Sequence, residues 1–143
     1  RTGLNFSKFK LTKLMTIPKG EDLPDTWGRF IRKYSLDEFF QLVNIVKGEM
    51  KFIGPRPLLP EYDHLLIDEQ RKRYSVKPGL TGWAQIKGRN TISWEEQFKL
   101  DVWYVENQTF WLDCKIIVLT FLKILHLLIR LPFLIVPAQV FPF

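Results

Sequence analysis

"KYSLDEFFQLVNIVKGEMKFIGPRP", residues 33–57, sets two adjacent acids, Asp37 and Glu38, into an otherwise apolar run. The local pattern reads as a helix. Ser35 and Glu38 form an S-x-x-E capping box, and Tyr34 and Phe39 stand where a hydrophobic staple would place them. Acids in a first turn also complement the positive end of the helix dipole. Leu36, Phe39, Phe40, Val43 and Val46 recur at helical spacing, and Gly48 ends the element. Capping alone accounts for both acids, so chemistry has to be argued from their surroundings.

The chain has 143 residues, 46% of them hydrophobic and 15% aromatic, which predicts one folded domain with a real core and argues against disorder. A formal charge of +6 favours anionic partners: phosphate ligands, acidic lipid or nucleic acid. Cys114 is the only cysteine, which excludes an internal disulfide and fits a reducing compartment, with packing its simplest role. His64 and His126 have no ligand-spaced cysteines, so a structural zinc site is not expected. Residues 1–13 carry scattered basic side chains and no apolar core of a signal peptide.

The alternation between Phe6 and Ile17 predicts a short strand, and residues 19–34 a polar loop leading into a basic helix. A brief strand is expected at Lys51–Ile53, then the rigid turn "GPRP", then a helix opened by Pro60 whose Arg71, Lys72 and Arg73 suit a helix C-terminus. Pro78-Gly79 signals a turn, and residues 80–86 a second strand. Ser93 with Glu96 is a second capping box, heading a helix whose Trp94, Phe98, Val102 and Val105 share a face. The expected fold is an α-rich α+β domain with a small β-hairpin or sheet.

From Ile116 to Leu131 the chain is almost wholly apolar. At about 100° per residue, Lys115, Lys123, His126 and Arg130 fall within an arc of roughly 80°. A basic stripe on an apolar helix predicts a segment lying in a membrane interface, rather than a span with Lys123 near its middle. A core helix is the competing reading. Residues 132–143 carry no motif.

Helix N-termini attract phosphate, so acids there would repel it unless a cation mediates. A divalent ion held by one or two carboxylates together with substrate phosphates resolves the conflict, leaving the other carboxylate free to attack phosphorus. Arg56, between Pro55 and Pro57, offers a stiffly mounted guanidinium for phosphate, with a structural salt bridge as its alternative.

The stretches "SLDEFFQLVNIVKGEMKFIGPRPLLPEY" and "VKPGLTGWAQIKGRNTISWEEQFKLDVWYVEN" closely resemble the bacterial sugar transferases, small monotopic phosphoglycosyl transferases. The resemblance runs from about Arg29 to Leu125, with a weaker trace through residues 1–17. It rests on the acid pair, GPRP, PGLTGWAQ, GRN and LDVWYV in one order and spacing. It implies a catalytic domain over residues 1–125, a membrane-interface helix over 115–131 and an atypical tail over 132–143. Such enzymes sit in one leaflet on the cytoplasmic face of the bacterial inner membrane. They move a sugar-1-phosphate from a UDP-sugar to polyprenyl (undecaprenyl) phosphate, release UMP and initiate surface glycan synthesis.

Carried over by position, Asp37 would be the nucleophile that forms a phosphosugar intermediate, and Glu38 a ligand of Mg²⁺ or Mn²⁺. Arg56, Arg89 and Asp101 fall on family positions at the active site, and Lys13 matches a basic one more weakly. Arg56 and Arg89 are expected on phosphates. Asp101, mid-helix among aromatics, binds substrate or instead orients an arginine. The chain departs from the family pattern in having no N-terminal membrane hairpin, in Met15 where a basic residue is usual, in Phe39-Phe40 for Leu-Pro or Leu-Leu, and beyond Leu125. A truncated copy serving only as a membrane-surface module is therefore the alternative. Nucleic-acid binding is not expected, since no helix-turn-helix or aromatic-basic RNA motif is present.

Overall fold

The structure, a computed structural model, describes residues 1–17, 26–33, 36–88 and 91–129. After a 3₁₀ turn at Leu4–Phe6 come α1 (Thr26–Lys33) and a 3₁₀ helix, Leu36–Gln41, that runs directly into α2 (Leu42–Val46). Strand β1 (Lys51–Ile53) is followed by a 3₁₀ helix at Pro60–Leu65, α3 (Asp68–Arg71) and a further 3₁₀ turn at Lys72–Ser75. Strand β2 (Gly79–Thr81), α4 (Trp83–Lys87), α5 (Trp94–Glu106) and α6 (Phe110–Ile129) complete the order. This is the expected α-rich α+β fold.

The sheet is two-stranded and parallel, pairing Lys51 with Gly79 and Ile53 with Thr81. It is not a hairpin, because the residues between the strands form the helical crossover that parallel pairing requires. The two strands meet so closely that a Cβ on Gly79 would lie 2.1 Å from the Gly54 nitrogen, which explains why both turns, GPRP and PGLTG, carry glycine there.

Three further expectations are corrected. Residues 6–17 form no strand. Asn5 and Phe6 turn the chain at positive φ, Thr2 bridges to Lys8, and the segment beyond is held by side chains of another helix. The helix expected from Pro60 breaks at Leu66 and Ile67, both extended, and this drops Leu66 into a buried cluster with Leu58 and Tyr74. Asp63 in that stretch accepts from Thr2, Lys8 and Tyr74, tying the N-terminal segment down. The second expected strand stops at Thr81, since Gly82 starts α4 by accepting from the Ile86 amide.

The main core joins β1, α5 and α6 through Ile53, Tyr104 and Ile116, with Trp83, Ile86, Val105 and Leu112 packed around them. Helix α5 begins as expected, with Ser93 Oγ accepting from the Glu96 amide at 3.2 Å. Of its predicted apolar face only Val102 is buried, while Trp94 is 60% exposed. Tyr104 donates to Asp113 at 2.7 Å and Thr81 meets Thr120 at 2.9 Å, fastening α6 to the body. Lys123 donates to the Ile86 carbonyl at 2.6 Å, and Lys115 lies over Trp83. These two lysines of the basic stripe thus face α4, and Ile117, Val118, Phe121, Leu122 and Ile129 are left exposed. Arg130 and residues 131–143 lie outside the described residues. Among the described residues no helix is long and apolar enough to cross a membrane.

Candidate active site

The acid-bearing helix folds inside out relative to its pattern. Asp37 is only 8% exposed and Glu38 only 9%, and Gln41 and Asn44, one and two turns on, are buried with them. Leu36, Phe39, Phe40, Val43 and Val46, the apolar residues at helical spacing, are all exposed, Val46 at 89%. The reason is that the polar face has its partners in the protein. Asn44 accepts from the Thr12 amide at 2.9 Å and donates to the Lys10 carbonyl at 2.7 Å and to Glu49 at 2.6 Å. The Leu14 amide donates to the Asp37 carbonyl at 3.2 Å. Burying groups with this many satisfied bonds costs far less than burying unpaired ones. Gly48 then ends the element at φ +76°, a conformation that suits glycine.

These bonds bring Lys13 alongside the acids, its Nζ 3.7 Å from Asp37 Oδ2 and 3.9 Å from Glu38 Oε1. Burial holds the Lys13 ammonium below its ordinary pKa; Glu38 opposes that, and Arg56 adds to it. Arg56 donates to Glu38 Oε1 at 3.0 Å. Arg56 thus makes a salt bridge that sets its guanidinium beside the acid pair.

Behind Arg56 stands a residue that the sequence reading left as a helix-end charge. Arg73, 1% exposed, donates through one Nη2 to the Arg56 carbonyl and to Asp101 Oδ2, both at 2.7 Å. Its guanidinium lies 5.1 Å from the Phe98 ring centroid and 5.7 Å from that of Tyr74. Asp101, 2% exposed, thus orients an arginine, as one of its two readings had it. Burial pushes its carboxyl up to about 6, against the pull of Arg73. Only the i, i+4 spacing of Gln97 and Asp101, polar residues each followed by an apolar one, Phe98 and Val102, could have signalled a buried partner.

The structure brings together Asp37, Glu38, Lys13 and Arg56, with Asp101 one residue behind through Arg73. Arg89 and the Ser35 cap lie outside the described residues. Among the described residues two carboxylates face two cations, Lys13 and Arg56. Among the described residues no third His, Cys, Asp or Glu joins the pair, so no protein-only metal cage forms. A vicinal pair of carboxylates fits Mg²⁺, which is commonly held by one or two carboxylates plus substrate phosphates and water.

A match to the family described as bacterial sugar transferase covers residues 1–127. The chain belongs to that family. It is 51% identical over 135 residues to the uncharacterized sugar transferase EpsL of Bacillus subtilis strain 168, covering 87% of this chain and 67% of that protein. It is 43% identical over 90 residues to the undecaprenyl-phosphate galactose phosphotransferase of Salmonella typhimurium, covering 63% of this chain and 19% of that one. It is 36% identical over 124 residues to the UDP-glucose:undecaprenyl-phosphate glucose-1-phosphate transferase of Xanthomonas campestris pv. campestris, covering 80% and 25%. The chain therefore spans two thirds of one such relative and a quarter or less of the other two.

Proposed function

We propose that this bacterial sugar transferase moves a sugar-1-phosphate from a UDP-sugar to undecaprenyl phosphate, with Asp37 as the nucleophile. The observation that carries the reading is the inverted helix: two nearly buried acids face two cations on one side, and a row of exposed apolar side chains covers the other. Such an element supports the reading, since a lipid-linked acceptor would reach the acids from an apolar phase on its exposed side. The names of the relatives above, a galactose and a glucose phosphotransferase acting on undecaprenyl phosphate, support the same chemistry.

In the first step an Asp37 oxygen attacks the sugar-bearing phosphorus. The bond from that phosphorus to the bridging oxygen breaks, and UMP leaves with the electron pair. In the second step a phosphate oxygen of undecaprenyl phosphate attacks the same phosphorus and the Asp37 carboxylate departs, restoring the protein. Glu38 and the substrate diphosphate would hold Mg²⁺, which when bound offsets charge on the leaving phosphate. Arg56, fixed by Glu38 and by Arg73 through its carbonyl, and Lys13 offer positive charge beside the reacting group, and Arg89 is assigned a phosphate contact from its position in GRN. Asp101 positions rather than touches substrate.

The apolar faces of the 36–46 element and of α6 are assigned to one leaflet of the cytoplasmic membrane surface. Lys123 and Lys115 then anchor α6 to the protein rather than to head groups. The test is a trap: incubated with a UDP-sugar carrying labelled sugar phosphate and no acceptor, the protein should take up label and release UMP, and Asp37→Asn should do neither. Both should cease in excess EDTA and return with Mg²⁺. Label retained on Asp37→Asn would remove Asp37 from this role.

A further inference from the structure

Lys13 reaches the acid pair from residues 9–16, a stretch with no helix or strand of its own. Its backbone groups find partners in other parts of the chain, and three of those bonds fix its register. The Leu14 amide donates to the Asp37 carbonyl at 3.2 Å. The Thr12 amide and the Lys10 carbonyl both bond the Asn44 carboxamide, at 2.9 and 2.7 Å. A slip of one residue would bring Thr12 or Leu14 to the acids in place of Lys13. Asn44 is fully buried, and its amide serves this stretch in one orientation only. Glu49 sets that orientation. Gly48, at φ +76°, turns the chain so that the Glu49 amide donates to the Asn44 carbonyl at 2.9 Å, and Asn44 Nδ2 donates to Glu49 Oε2 at 2.6 Å. A carboxylate only accepts, so it holds the amide nitrogen on its own side and leaves Oδ1 for the Thr12 amide. A flipped amide would set oxygen against the carboxylate and the Lys10 carbonyl, and N–H against N–H at Thr12, so buried groups would lose their partners.

We propose that Glu49 is a positioning residue of the active site, acting through the Asn44 carboxamide on the backbone of residues 10–12 to seat the Lys13 ammonium on Asp37 and Glu38. The turn that follows α2 thereby becomes part of the site, although its own side chain bonds Asn44 and not a reacting group. What Glu49 needs for this role is an acceptor oxygen, not a charge. The effect on the reaction rests on the transferase reading, in which Lys13 offers positive charge beside the reacting group. The seating of Lys13 does not rest on it.

The test reads the seat and the reaction separately. Lysines of the folded full chain in detergent micelles are acetylated with acetic anhydride, and Lys13 is followed by mass spectrometry against Lys87, exposed at the end of α4. Glu49→Leu removes the acceptor and should quicken labelling of Lys13 by about fivefold, the scale of one lost hydrogen bond. Glu49→Gln still offers a carbonyl oxygen to Asn44 and should stay within about twofold of the parent. Glu49 is only partly buried, so circular dichroism should show both variants folded at the assay temperature. Turnover should follow the label: kcat for UMP release falls on the order of tenfold to a hundredfold in Glu49→Leu and is kept in Glu49→Gln. Combined with Lys13→Met, Glu49→Leu should change kcat by no more than about twofold, because its route to the site is gone. A merely structural Glu49 would lower kcat equally in both backgrounds, and that result would overturn the proposal. So would labelling of Lys13 unmoved by Glu49→Leu, or a Glu49→Gln variant that behaves like Glu49→Leu. If the parent transfers sugar phosphate and labelling quickens while kcat holds, the positioning role falls and the transferase stands. If labelling responds as expected but the parent transfers no sugar phosphate, the seat stands and the transferase reading falls.

Discussion

Two stretches of this chain carry the same local signal and use it in opposite ways. Ser93 and Glu96 open α5 conventionally: the hydroxyl caps the Glu96 amide, both acids of the first turn are exposed, and Val102 packs inward. Ser35 and Glu38 have the same spacing, yet the two acids that follow the serine are buried and the apolar residues face outward. A capping box reports where a helix starts. It carries no information on which face the rest of the protein will cover, because that depends on partners distant in sequence. Lys13, Arg56 and the Asn44 hydrogen bonds are those partners here, and they turn a helix start into a charged site.

The comparison breaks most sharply on the acids themselves. Asp37→Asn should lower UMP release on the order of 10³-fold or more, the scale on which a nucleophile's loss is felt. Glu96→Gln, an acid at the corresponding start of α5, should leave turnover within about twofold, since exposed acids in a first turn act mainly on the dipole. Urea unfolding of both variants should shift by no more than about 1 kcal/mol, which separates a chemical role from a structural one. Comparable losses of turnover in the two variants would erase the distinction.

The next effect is on stability. Asp101→Ala strips the buried Arg73 guanidinium of its side-chain acceptor, and breaking such a pair costs about 3–5 kcal/mol. Replacing both partners, Asp101→Leu with Arg73→Met, should recover much of that loss while still impairing turnover, since the Arg56 carbonyl then has no donor. The pair also has a pH signature. The folded carboxyl titrates at about 6, against an ordinary value of 3.8, so the folded chain holds that proton more tightly than the unfolded one. Its contribution to stability is full below about pH 4 and is lost as pH rises through 6. Unfolding curves taken between pH 4 and 7 should show this slope in the parent protein and not in Asp101→Asn.

What the sequence could reveal follows the same division. Strand β1, the start of α5, α1 and the C-terminal helix were legible because each depends on local pattern and local capping. The parallel pairing of β1 with β2 was not, since nothing within either three-residue strand records the direction of its neighbour. The helix expected from Pro60 failed at Leu66 because a buried cluster outweighed local propensity there. Asp37, Glu38 and Arg56 stand out in the sequence by their motifs, and the structure gathers them with Lys13. Arg73 does not: beside Arg71 and Lys72 it looks like one more helix-end charge, and only the packed structure shows it at 1% exposure against Asp101. Gln41 and Asn44 were hidden by the apolar residues around them, although the spacing 37, 38, 41, 44 is itself a polar stripe at helical period.

That stripe implies that the outward face can be changed without loosening the fold. Phe39→Ser with Val43→Ser removes two side chains exposed by 66% and 42%, so melting should stay within about 2 °C of the parent or rise slightly. Binding to vesicles should weaken on the order of 2 kcal/mol, about thirtyfold, if each side chain is partly embedded. Flotation with liposomes of phosphatidylethanolamine and phosphatidylglycerol reads the difference. Phe98→Ser on α5, which removes a half-buried ring against Arg73, should do the reverse, lowering stability with little effect on flotation of the folded fraction.

The smallest effect sharpens the comparison from the conventional side. Ser93→Ala removes the one side-chain cap seen on α5 and should cost about 1 kcal/mol. Asp101 sits two turns into the same helix, held by Arg73 rather than by the helix start, so its position should not follow the cap. Turnover should therefore remain within about twofold, while hydrogen exchange quickens only in the first turn, at the amides of residues 95–97. Faster exchange reaching Asp101 together with a fall in turnover would mean that the cap supports the site after all, and the two stretches would then differ in degree rather than in kind.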